Sequence, residues 1–219
     1  MDNFNRKNKF LVAAAILLLC GVAAVILLYF VGKNPVSDGI KPVLPSKTRE
    51  VSDFSATLDK VNAYQIRYFK IIKRHDALLN IENNEECMKD LKELKTLFDE
   101  VKDDIKNIKS DSEYLAEYEK IKTDFKNNSA TTTIEMNEFA KRNYDAFDRL
   151  LNEVYRYDKS KLSENDFEKL KFSQKQWLSE VEDYNNIFLS KDFGTIGTLV
   201  KFDYEINMRC FRALLLMLF

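Results

Sequence analysis

Residues able to do covalent or acid–base chemistry are few and scattered in this chain. It has one histidine, His75, and three cysteines, Cys20, Cys87 and Cys210, among 219 residues. A hydroxyl or thiol nucleophile needs a base to take its proton, most often a histidine. His75 falls on the apolar stripe of a predicted helix, where it reads as a core or helix-flank residue. There is no H-x-x-x-H or C-x-x-C spacing, so no metal site and no cofactor are predicted. Gly194-Thr195-Ile196-Gly197 lacks the strand that precedes a phosphate-cradling loop, and reads as the turn before the last helix. Carboxylates are abundant, but a helical chain always offers acidic pairs one turn apart. The chain is therefore not expected to be an enzyme.

The chemistry left is recognition. Between Glu85 and Glu119, twelve acidic residues stand against six basic ones. That run is either a solvated helix face or a docking face for a cationic partner, centred on Glu93, Asp99, Glu100, Asp103 and Asp104. Nothing suggests nucleic acid, which attracts basic surfaces. A second group lies further on: Asp148, Leu151, Asn152 and Tyr155, then Gln174, Trp177 and Leu178. Asp148 and Asn152 share one helix face, and Leu151 and Tyr155 share an adjoining one. Gln174 and Trp177 sit on an apolar stripe. A buried glutamine needs partners, and Asn152, Tyr155 or the Trp177 indole are expected to join it in one interior polar network. The group is read as either structural or a binding surface.

The elements that must position these residues are helices. All three prolines lie between residues 35 and 45, and beyond them only Gly194 and Gly197 remain as glycines. So few breakers over so long a stretch predict helix throughout. The apolar residues agree, stepping by three and four. One stripe runs Val51, Phe54, Leu58, Val61, Gln65, Tyr68, Ile72, His75, Leu79. A second runs Cys87, Leu91, Leu94, Phe98, Val101, Ile105, Ile108, and a third Phe167, Leu170, Gln174, Trp177, Val181, Tyr184, Phe188. Capping patterns mark helix starts at Ser110-x-x-Glu113, Thr132-x-x-Glu135 and Ser163-x-x-Asp166. Six helices are predicted, over 51–82, 85–109, 112–127, 133–158, 164–190 and 198–217. Short connectors between helices of two or three heptads predict an antiparallel bundle. The polar run 126–133 is the best boundary between a helical region, 51–128, and a second domain, 131–219.

Ahead of the bundle, Phe10 to Val31 pass without a charge. As a helix of about 1.5 Å rise per residue, this run is long enough to cross a hydrocarbon core of about 30 Å. Arg6, Lys7 and Lys9 precede it, which favours a cytoplasmic N-terminus, residues 1–9. The expectation is a single-pass anchor over 10–32 in a bacterial cytoplasmic membrane. A proline-containing linker, 33–50, would follow, with the rest outside, periplasmic or extracellular. Cleavage as a signal peptide and lipidation of Cys20 are the alternatives. Outside the run, Cys87 and Cys210 either form a disulfide or stay as small buried hydrophobes.

The linked patterns Asp148-x-x-Leu151-Asn152-x-x-Tyr155 and Gln174-x-x-Trp177-Leu178 precede the glycine turn Gly194/Gly197. A last helix then carries Arg209 and Arg212 ahead of leucines. Over about residues 131–219 this resembles the lysozyme inhibitor LprI family, whose run-in is also similar to Thr133-Ile-Glu-Met-Asn137. The resemblance implies a small, exported, all-α binding module. The family's disulfide-forming cysteines are missing: Phe139 and Asn185 stand near two expected positions, and Cys210 has no partner within the domain. Val181-Glu182 replaces the arginine–aspartate pair after the tryptophan. A divergent member is expected to rely on packing instead, with the first three helices enlarging the core.

Two functions are weighed. One is a membrane-anchored binding protein that occludes lysozyme or another cell-wall-associated protein, helped by the acidic stretch if that partner is basic. The other is a structural helical or coiled-coil envelope protein, a stalk, scaffold or homo-oligomer, whose first two helices pair between chains.

Overall fold

The computed structural model describes residues 54–79, 84–108, 112–126, 130–189 and 197–219. The predicted anchor over 10–32, the linker and Gly194 lie outside the described residues. Among those described, no helix is long and apolar enough to cross a membrane.

Six helices are seen: α1 (Phe54–Leu79), α2 (Asn84–Ile108), α3 (Glu113–Lys126), α4 (Thr133–Lys161), α5 (Glu164–Leu189) and α6 (Gly197–Leu216). Each lies within about one turn of its predicted bounds. The capping box at α4 is complete: Glu135 N–H donates to Thr132 Oγ1, and the Glu135 carboxylate accepts from the Thr132 N–H at 3.0 Å. At α5 the Asp166 N–H donates to Ser163 Oγ at 3.2 Å. At α3 the cap differs from the expectation. Ser112, directly before Glu113, accepts from the Leu115 N–H at 3.2 Å, a position two residues later than the predicted Ser110. Either serine offers the hydroxyl that a free first-turn donor needs, and the helix takes the one nearer its apolar run.

The helices alternate in direction. Tyr114 meets Tyr157 and Phe125 stacks on Phe139, so α3 and α4 are antiparallel. Phe54 meets Phe219 and Tyr68 stacks on Phe211, so α1 and α6 are antiparallel. Tyr144 meets Phe202 and Asp148 meets Arg209, so α4 and α6 run together. Helix α6 packs against α1, α2, α4 and α5, and from Cys210 to Leu218 every side chain is buried. One apolar cluster draws on all six helices, from Phe54 to Leu218. From the stripes of α1 and α2, Phe54, Val61, Tyr68, Ile72, Phe98, Val101 and Ile105 lie in this cluster, Cys87 and Leu91 are buried outside it, and Ile108 is exposed. Helices α1 and α2, which the structural alternative pairs between chains, pack here on each other within one chain.

Cys87 and Cys210 are both buried as free thiols, which settles the choice left open by their spacing. Burial pushes the Cys210 thiol up to about 12, so it behaves as a small hydrophobe.

Candidate functional site

Four acidic residues of α2, Asp90, Glu93, Glu100 and Asp104, meet α1 along a seam. Asp104 accepts from Tyr64 Oη at 2.5 Å and pairs with Lys60 at 2.6 Å. Glu100 takes both ends of the Arg67 guanidinium, at 2.7 and 3.4 Å. Glu93 pairs with Arg74 at 2.6 Å, and Arg74 Nε donates to the buried Asp90 at 2.6 Å. Lys60, Tyr64, Arg67 and Arg74 thus form a ladder down α1 that meets an acidic ladder running up α2. Asp99 and Asp103 pair with Lys102 and Lys106 one turn along their own helix, at 3.0 and 3.3 Å. All five predicted docking acids therefore carry a local cation. Three of the five, Glu93, Glu100 and Asp104, join α2 to α1.

The second group separates into two networks, instead of the one expected around Gln174. The first sits at the α4–α6 surface. Asp148 accepts from Arg209 Nε at 3.0 Å and from Asn152 Nδ2 at 3.0 Å. Arg209 also donates to Tyr144 Oη at 2.5 Å, and its guanidinium lies 4.1 Å from the Tyr144 ring centre. Glu205, one turn before it, accepts from Asn185 Nδ2 at 3.1 Å, tying in α5. Asn152 is exposed and belongs here, because its position one turn after Asp148 puts it within reach of that carboxylate and of the Asp148 carbonyl.

The second network is interior. Arg212 is 0% exposed. Its Nε donates to Gln174 Oε1 at 2.8 Å, Nη1 to Gln65 Oε1 at 2.7 Å and Nη2 to Ser173 Oγ at 3.2 Å. Loss of hydration lowers its pKa to about 9, while the field of buried Asp158 opposes that fall. Arg212 is thus a cation at neutral pH, solvated by three neutral oxygens drawn from α1 and α5. Gln174 meets this arginine, not Asn152, Tyr155 or Trp177. A glutamine at a stripe position is short of donors, and only an arginine from the next helix offers several at once. Two signals for Gln65 and Arg212 were present in the sequence: both glutamines, Gln65 and Gln174, interrupt apolar stripes.

Trp177 and Leu151 are core residues, Tyr155 is half-buried against the Phe167 ring, and Leu178 is 51% exposed. Gly197 begins α6. Where the expected cysteines are missing, Phe139 stacks on Phe125 of α3 at 5.4 Å, and Asn185 holds Glu205. Packing and a carboxamide–carboxylate bond stand in place of covalent staples, and α3 supplies one of the partners. His75 is buried on the packed face of α1. Among the described residues, no group of three or more potential ligands is placed to hold a metal ion.

The fold and its networks define an all-α bundle in which motif residues bind helix to helix. The family model described as Lysozyme inhibitor LprI matches residues 125–215, so over α4 to α6 the chain is similar to that family. Comparison with curated proteins gives no match, and neither does comparison with solved structures.

Proposed function

We propose that this chain is a binding protein of the lysozyme-inhibitor type. It acts by protein–protein occlusion, held at the outer face of a bacterial cytoplasmic membrane by the apolar run 10–32. The observation that supports this reading is the family match over 125–215, which falls on the helices carrying Asp148, Asn152, Gln174, Trp177, Arg209 and Arg212. Their side chains mostly hold the bundle together, so the partner meets residues outside the motif.

The test is inhibition of lysozyme by the full chain, solubilised in detergent, over a salt series. Inhibition that weakens with salt is the expected outcome. Charge reversal has to avoid the α1–α2 seam, where Glu93, Glu100 and Asp104 bind across helices. Asp99→Lys with Asp103→Lys leaves those three pairs in place and weakens inhibition if the acidic face docks. No inhibition at any salt removes lysozyme as the partner.

A further inference from the structure

Tyr68 of α1 is 2% exposed, and Tyr118 of α3 is 1% exposed. Among the described residues, neither hydroxyl makes a hydrogen bond. A phenol that gives up its hydration without a replacement bond is destabilising. Buried hydroxyls in native folds are for that reason almost always met, by protein or by ordered water. Burial also pushes both phenols well above their usual pKa range, so each stays protonated and has an O–H to donate.

The rings around them bring the two hydroxyls to one place. Tyr68 stacks on Phe211 at 4.4 Å, and both rings lie against Phe98, at 6.2 and 4.9 Å. The Lys122 ammonium is 5.7 Å from the centre of the Phe98 ring and 5.8 Å from that of Tyr118. On its other side Tyr118 meets Phe147 at 5.6 Å. The Tyr118 phenol lies in the field of the Tyr68 phenol, and both lie in the field of the Cys210 thiol, itself 1% exposed. Asp203, two turns before Cys210 on α6 and half-buried, adds its field to Tyr68 and Cys210. Two phenols, a thiol and a carboxylate thus converge between α1, α3 and α6, walled by aromatic rings.

These groups converge without bonding to one another directly. The acceptors facing the phenols are the Cys210 sulfur, which accepts weakly, and the Asp203 carboxylate. A bridging molecule that accepts twice and donates twice meets all four. Lys122, the cation facing the site, is opposed by Asp203, so the bridge is neutral. Water has that valence and that charge, and it is the usual partner of buried polar groups that cannot reach each other. We infer that the junction of α1, α3 and α6 holds an internal water, which accepts from the Tyr68 and Tyr118 hydroxyls and donates toward Cys210 and Asp203. It joins the first three helices to the last three by hydrogen bonds, where Tyr68, Phe98 and Phe211 join them by packing. The inference does not depend on what the bundle binds.

The experiment uses the full chain, solubilised in detergent. Tyr68→Phe and Tyr118→Phe each remove one hydroxyl and keep the ring. A bridging water loses a bond in either variant, so each should lower the thermal midpoint by about 3 °C. Because the water is shared, the double variant should lose clearly less than the sum of the two. Unpaired hydroxyls predict the opposite sign, since removing one relieves its desolvation. A midpoint unchanged or raised in either single variant therefore overturns the inference, and so do losses that simply add. A direct bond between the two hydroxyls would also couple the variants, and a crystal structure of the full chain separates that case. A water within about 3 Å of both hydroxyls is expected. Hydroxyls in direct contact, or a water on one of them alone, overturn the assignment.

Discussion

At the scale of single residues, Arg212 shows how a charge can be buried without a carboxylate at hydrogen-bonding distance. Three of its five N–H groups are met by Gln65, Gln174 and Ser173, and those oxygens in turn depend on it. Arg212→Met keeps much of the volume but strands three acceptors, at about 1–3 kcal/mol for each one left unsatisfied. Urea unfolding is expected to show a loss of several kcal/mol. The triple change Arg212→Met, Gln65→Leu, Gln174→Leu should recover most of it, since apolar replacement of a whole buried polar group is often neutral. Asp203 on the same helix makes a second case. Protein packed around its carboxyl lifts the pKa from 3.8 to about 6, with Lys122 opposing. The folded state therefore holds this proton more tightly than the unfolded state. Its stabilising contribution is full below about pH 4 and is lost as pH rises through 6. Asp203→Asn should be more stable than the parent at pH 7, by on the order of 1 kcal/mol, and equal to it near pH 4. Thermal unfolding at the two pH values checks this.

At the scale of helices, the start of α4 carries the most complete local signal in the chain. Thr132 and Glu135 satisfy each other's backbone donors, and the N–H groups of Thr131 and Thr132 pull the Glu135 carboxyl down to about 2. Thr132→Ala should cost about 1 kcal/mol, read as a lowered urea midpoint with an unchanged slope. The helices themselves were legible from stripes on α1, α2 and α5, capping patterns ahead of α3, α4 and α5 and the scarcity of breakers throughout, and the bounds of α1 to α6 lie within about one turn of those predicted. The networks were less legible. Periodicity says which face of a helix is buried, and so it placed Gln65, Gln174 and Trp177 inside. It does not say which two faces meet, so it offers Asn152, Tyr155 or Trp177 as partners of Gln174 where the structure gives Arg212. The acidic stretch shows the same limit. Glu93, Glu100 and Asp104 read as a free charged face until α1 presents Arg74, Arg67 and Lys60 to them.

At the scale of the whole molecule, the first three helices and the last three share one core, and α6 stands where they join. Phe98 of α2, Tyr68 of α1 and Phe211 of α6 lie against one another, so the polar run 126–133 divides the sequence without dividing the packing. The side chains from Cys210 to Leu218 are the filling around which the other helices close. Protein synthesis makes this filling after the five helices that need it. A growing chain can form the α1–α2 hairpin with its charged ladder, but Tyr68 and Phe98 on its inner face lack Phe211 until α6 emerges. Closure of the bundle therefore comes late in the life of the nascent polypeptide.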